Sequence, residues 1–368
     1  MYDLYNFFKS HIKKNFAANI RNKEIHEIIR TKMGEVVPLI FDKKTNDIIT
    51  CGAIHEATKK WAIGTVGTTI FVYTKGDDIP KQISICKDSV RSLQFNITGQ
   101  DLLIADKAGN FFVYNIEDQS AKYTKIKAHN SPIEVAKYIT DTIIATGDSE
   151  GHLKIWNIEE DKCTQKFHDE KEYISDIAVV DDKTIGVTSG NGVLSLYTIN
   201  RPKRRQYYAQ EDDDFVSVTY DPFCRYFICA SSRPKIYVSK HPSLDFVCEA
   251  SMKSTRPFVG VSVLKTNKCR AVVAAENGTV YIQDLHPNHL IYAWQAHKKD
   301  IHGMDLSGGL LLTWSSTNEV KVWDITEKRD EEFLSDHKKK KLKKQGKLPV
   351  IAKKKDTFFD ELGDGESD

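Results

Sequence analysis

"IIATGDSEGHLKIWNI", residues 143–158, is a short apolar strand, a polar turn, and a second strand whose side chains alternate in polarity. Alternation at period two marks a half-buried strand, and the polar turn suits a hairpin. The pattern recurs along the chain as "WAIGTVGTTIFVYT", "LLIADKAGNFFVYNI", "IGVTSGNGVLSLYTI", "FICASSRPKIYVSK", "VVAAENGTVYIQDL" and "LLTWSSTNEVKVWDI". One column of it holds Tyr73, Tyr114, Trp156, Tyr197, Ser239, Gln283 and Trp323, separated by 41, 42, 41, 42, 44 and 40 residues. No stretch between residues 34 and 327 reads as a long amphipathic helix.

A unit of ~40–45 residues repeated in this way matches the four-stranded blade of a WD-repeat propeller. The expectation is an all-β chain: a seven-bladed β-propeller over residues 34–327, an N-terminal extension over 1–33 and a tail over 328–368. In blade three, His129, Asp141, Thr146 and Trp156 stand where the family's structural tetrad is expected, a buried hydrogen-bond chain that helps only when every member has a partner. Blade four offers His168, Asp181 or Asp182, Thr188 and Tyr197, while blade seven has His297, Thr313 and Trp323 without an aspartate. A histidine near an aspartate and a hydroxyl also suggests a nucleophilic triad. Recurrence in several blades and expected burial argue for the structural role. Blades five and six depart from the pattern, with Ser239 and Gln283 in the aromatic column and Pro234 in a turn.

The composition is that of a globular chain, 28% charged and 40% hydrophobic over 368 residues, long enough for a large core. Its charge is uneven. Residues 1–337 carry 43 Lys and Arg against 45 Asp and Glu, Lys338 to Lys355 add ten positive charges, and the last thirteen residues add six negative ones. Such a run repels itself, so the tail is expected to be disordered when free. The seven cysteines show no Cys-x-x-Cys pair and no Cys/His spacing suited to zinc, which predicts reduced thiols, no metal and a cytosolic or nuclear setting. No apolar stretch approaches the ~20 residues of a membrane span. The basic, aromatic first 32 residues lack a signal-peptide core and can form an amphipathic helix ahead of a start at Met33. Walker loops, a Gly-x-Ser-x-Gly elbow and a dinucleotide fingerprint are missing, so neither catalysis, cofactor nor small-molecule substrate is expected. "HPNH", residues 286–289, reads as a turn rather than a metal pair.

The stretch from Lys127 to Asp176 resembles the WD repeat-containing protein 55 family in "KAH..PI", "ATGD..G.LKIWN" and "H..EYISD". "SGNGVLSLYTINRPKRR", "DLHPNHLI" and a lysine cluster followed by an "FFDEL"-like end are similar too. The resemblance spans roughly residues 48–362 and omits the first 32. It implies a non-catalytic nuclear and nucleolar factor in rRNA synthesis and large-subunit assembly, with ribosome assembly factors and pre-ribosomal RNA as partners.

The tail divides into Lys338, Lys339, Lys340, Lys341, Lys343, Lys344 and Lys347, then Lys353, Lys354 and Lys355. That two-part form suits a nuclear import carrier. It also suits non-specific RNA contact through released counterions, with no interleaved aromatics to stack bases. Phe358, Phe359 and Leu362 form a short docking motif at its end. "RPKRR", residues 201–205, is expected in a loop after blade four, screened by "EDDD", residues 211–214. On the loop face, Tyr173, Phe215, Arg256 and Phe258 are the expected protein-partner anchors. Two other readings stand beside the scaffold: a subunit of an RNA or tRNA methyltransferase, and a ubiquitin-ligase substrate receptor, whose Trp-Asp-x-Arg box is missing at Trp323-Asp324.

Overall fold

The computed structural model describes residues 37–326 except 78, 200, 209–212, 252–253, 255 and 267, with backbone alone at 201–205, 208 and 251. Of the chain's two units, Met1–Glu331 and Glu332–Asp368, all of these belong to the first. The extension expected over 1–33 and the lysine tail with Phe358, Phe359 and Leu362 lie outside the described residues.

Each repeat folds as a four-stranded antiparallel meander. The seven innermost strands begin at Ile49, Val90, Ile133, Ile174, Phe215, Phe258 and Ile301, and each packs against the next around a closed ring. The molecule is a seven-bladed β-propeller. Its second strands are sandwiched between neighbouring blades and are buried along their length, as in Arg270–Ala275 and Leu310–Ser315. The outermost strands alternate exposed and half-buried positions, as in Lys162–Phe167, because only one face is covered. Close packing between blades demands small residues: a side chain on Gly186 would lie 2.3 Å from the Phe227 ring, and one on Gly147 would lie 2.6 Å from Ile174.

The ring is closed by strand exchange within blade seven. Leu39–Lys44 pairs antiparallel with Glu319–Asp324 as its fourth strand, with Asp42 opposite Lys321. Residues 39–41 of "VVPLIF" therefore belong to blade seven.

Side chains tie several of the innermost strands to the next. Such a strand has one edge toward the central channel, and its free N–H groups need acceptors. Ser92 Oγ takes the N–H of Ala136 at 3.0 Å, Gln94 Oε1 that of Tyr138 at 2.7 Å, Asp176 Oδ2 that of Val218 at 3.1 Å and Asp305 Oδ2 that of Ile54 at 2.8 Å. Asp305 thereby seals the step from blade seven to blade one, helped by Ser307 Oγ accepting from Glu56 N at 3.0 Å.

Two sequence expectations change here. "RPKRR" is no loop: Arg201–Tyr208 is the outermost strand of blade four, paired with Val193–Thr198. Asp213, expected to screen it, is buried and accepts from the Tyr237 hydroxyl at 3.0 Å. In "HPNH", His286 and Pro287 make the turn joining the last two strands of blade six, and Asn288 and His289 begin the last strand. Among the described residues, no helix is long and apolar enough to cross a membrane.

Candidate functional site

The histidine network of blade three comes first, because its chemistry superficially resembles an active site. Trp156 Nε1 donates to Thr146 Oγ1 at 2.8 Å, Thr146 to His129 Nε2 at 2.7 Å, and His129 Nδ1 to a carboxylate at 2.8 Å. That carboxylate is Asp148, not Asp141. Asp141 sits exposed in the turn between the first two strands, on the opposite side of the blade. There it lines a cavity of about 760 Å³ at one mouth of the channel, with His55, Gln94, Lys137 and Lys265. Asp148 is placed by the next turn, whose Gly151 has φ +83, a left-handed conformation that glycine adopts without strain. Its Oδ1 accepts from the N–H of Glu150 and His152, and its Oδ2 from Ser131 Oγ at 2.7 Å.

Burial alone would raise the Asp148 carboxyl, but His129, Ser131 and the His152 amide together hold it below the ordinary carboxylate range. Burial also lowers His129, so the imidazole stays neutral and both ring nitrogens serve the chain. Thr146 is 0% exposed and His129 1%. A hydroxyl sealed in this way meets no substrate, and the network pins two strands and the loop that leads into the blade.

Other blades solve the same problem with different residues. In blade seven, His297 Nε2 meets Thr313 Oγ1 at 2.8 Å and Trp323 Nε1 donates to it at 3.0 Å, with Ser315 at the position of Asp148. Blade four does not use His168, Asp181 or Asp182. Buried Glu170 takes their place, accepting from Ser195 Oγ at 2.6 Å and Tyr197 OH at 3.0 Å. His168 instead stacks on His152 with centroids 3.9 Å apart, and Asp181 and Asp182 are exposed in a turn. Blade six has a buried ion pair, Arg270 Nε to Asp284 Oδ1 at 2.7 Å.

The expected partner anchors divide. Phe215 is 0% exposed and Phe258 1%. Both open an innermost strand just before a bulge, at the position that Ile133 and Ile174 fill elsewhere. They are core, wedged between blades, and cannot touch a partner. Arg256 is exposed on the connection between blades five and six. Tyr173 is 39% exposed on the connection between blades three and four, its ring lying over Gly190. Burial first, then Asp214, Glu134 and Glu172, push its hydroxyl up. Asp214 is itself raised by burial and then by Asp213 and Glu172. The rim is thus an aromatic face beside several carboxylates, a setting that attracts ammonium or guanidinium groups.

Sequence reasoning singled out Tyr173 without the carboxylates around it, since Glu134 and Asp214 come from different blades. The error at Asp148 had an available signal: "D..G" in "GDSEG" is itself the turn that carries the aspartate beside its threonine.

No family model matches the chain. Curated relatives do. It is 26% identical over 328 residues to a WD repeat-containing protein 55 homolog of Aedes aegypti, covering 87% of this chain and 69% of that protein. It is 23% identical over 282 residues to WD repeat-containing protein 55 of Arabidopsis thaliana, covering 74% and 79%. With that of Homo sapiens the identity is 24% over 291 residues, covering 75% and 74%.

Proposed function

We propose that this chain, which belongs to the WD repeat-containing protein 55 family, is a non-catalytic nucleolar scaffold in rRNA production and large-subunit assembly. The propeller holds assembly factors, and the lysine tail supplies nuclear import and non-specific contact with pre-ribosomal RNA. The observation that carries this reading is the Tyr173 rim: an exposed aromatic anchor with Glu134, Glu172 and Asp214 around it. Aromatic anchors of this kind dominate interface energetics, and the carboxylates suit a partner that presents a basic segment. Supporting it is the block of ten lysines from Lys338 to Lys355, each phosphate contact on a single strand adding ~−0.7 to the salt slope.

The test is a comparative purification from cells. Tagged full-length protein, a form ending at Asp336 with an unrelated nuclear signal, and the full-length Tyr173→Ala variant are compared for co-purifying RNA and proteins. The scaffold reading expects pre-ribosomal RNA to depend on the tail and assembly factors to depend on Tyr173. Recovery of no ribosomal precursor by any form overturns it. Stoichiometric recovery of a single methyltransferase replaces it with the enzyme-subunit reading.

A further inference from the structure

A buried carboxylate and two thiols converge where blades five and six meet. Asp221 ends the innermost strand of blade five and is 2% exposed. Its Oδ1 is committed to the turn that follows, accepting from Phe223 N at 2.9 Å and Cys224 N at 3.2 Å. Its Oδ2 is buried with no hydrogen-bond partner of good geometry, and the Cys224 thiol lies near enough to interact with the carboxylate. Cys224 lies in that turn, and Cys269 stands immediately before the second strand of blade six. The carboxylate oxygen and the two sulfurs all lie within 4.8 Å of one another, and among the described residues no other such trio of His, Cys, Asp or Glu occurs.

The surroundings make the orphan oxygen costly. Cys224 and Cys269 belong to an apolar cluster with Tyr226, Val263 and Leu285. A carboxylate oxygen left unpaired in such a place loses its hydration without compensation. The partners facing it are thiols, which are weak hydrogen-bond donors but, as thiolates, strong ligands for soft and borderline cations. Tetrahedral coordination with the usual zinc–sulfur and zinc–oxygen lengths needs ligand atoms roughly 3.5–3.8 Å apart. Closing the trio onto an ion therefore asks for movements of about 1 Å or less in side chains, one of which sits on a surface turn. Cys224 is only partly buried, which leaves a path inward for an ion and a fourth position for water.

We propose that Asp221, Cys224 and Cys269 form a site for a thiophilic divalent cation of the zinc type, stapling blade five to blade six. The site clamps two blades that depart from the repeat pattern, with Ser239 and Gln283 in the aromatic column. Linear spacing conceals it, because the two cysteines belong to different blades and no Cys-x-x-Cys pair exists. It departs from the expectation that no metal is bound. It does not depend on the scaffold reading, since its ligands lie away from Tyr173.

Full-length protein, reduced with a phosphine and stripped of metal, is titrated with Co²⁺ and then with Zn²⁺ as competitor. The expected result is one equivalent of Co²⁺, with visible ligand-field bands and near-ultraviolet thiolate-to-cobalt absorption that Zn²⁺ abolishes. Cys224→Ser and Cys269→Ser should each weaken binding at least tenfold, and Cys163→Ser should not. Asp221→Asn separates folding from binding: its Oδ1 can still cap the turn, as Asn96 Oδ1 does in blade two by accepting from Gln100 N at 3.1 Å. This variant should fold, shown by unchanged near-ultraviolet circular dichroism, and bind Co²⁺ at least tenfold more weakly. Cobalt spectra unchanged by the three ligand substitutions overturn the proposal. So does the absence of any thiolate absorption in the wild type, or thiol trapping from cells that finds Cys224 and Cys269 joined as a disulfide.

Discussion

Asp148 and Asp141 make a decisive pair, because the repeat register alone allowed either to complete the blade-three network. Replacing Asp148 by alanine strands the His129 Nδ1–H and the Ser131 hydroxyl, both fully enclosed, and removes the cap on the Glu150 and His152 amides. Each orphaned buried donor costs ~1–3 kcal/mol, and the neutral imidazole leaves no unpaired charge behind. The turn amides can turn to water, so the two stranded donors together should cost about 2–6 kcal/mol. Asp141→Ala removes an exposed carboxylate from a turn and should stay within about 0.5 kcal/mol. Urea unfolding followed by tryptophan fluorescence measures both, and Trp156 lies inside the affected network. A loss under ~1 kcal/mol for Asp148→Ala, or equal losses for the two variants, would refute the argument that the turn carboxylate completes the chain.

Acid should loosen blade seven. Burial first and Lys321 second depress His297 to about 4, against the weaker pull of Asp42, with the Glu319 carboxylate 3.6 Å from Nδ1. The unfolded chain, with an ordinary histidine near ~6.5, then binds the proton more tightly, so stability is full above that pH and declines toward pH 4, by about 3 kcal/mol at most. Urea midpoints across that range should show the slope, and His297→Gln should flatten it. Phe258→Ala should cost ~3–5 kcal/mol as a core truncation while the folded fraction keeps its partners; partner loss without destabilisation would return Phe258 to the interface. Tyr173→Ala should do the reverse, leaving the unfolding midpoint within about 0.5 kcal/mol while reducing recovery of assembly factors. Asp284→Ala should cost ~3–5 kcal/mol by leaving the Arg270 guanidinium buried beside an empty position; calorimetry or urea unfolding would expose a smaller effect.

Much of the architecture is legible in the chain because each blade is local. A meander of four strands draws its period, its polar turns and its alternating outer strand from consecutive residues, so Trp156, Thr146 and His129 could be placed by counting. Identity of the network's last member could not, since an aspartate at either end of one strand satisfies the same count. Only the chain direction through the turn puts Asp148 rather than Asp141 against His129. Phe215 and Phe258 carry the same lesson. Aromatic character and register marked them as anchors, yet which side of an innermost strand faces a neighbouring blade depends on the bulge that follows it. Relations between blades were beyond reach of any local reading: the pairing of Leu39–Lys44 with Glu319–Asp324, the Asp305 contact that seals the ring, the carboxylates around Tyr173, and the meeting of Asp221 and Cys224 with Cys269. Each joins residues that are distant in sequence, and their separations are set by the closure of the ring, a property of seven blades together and of none alone.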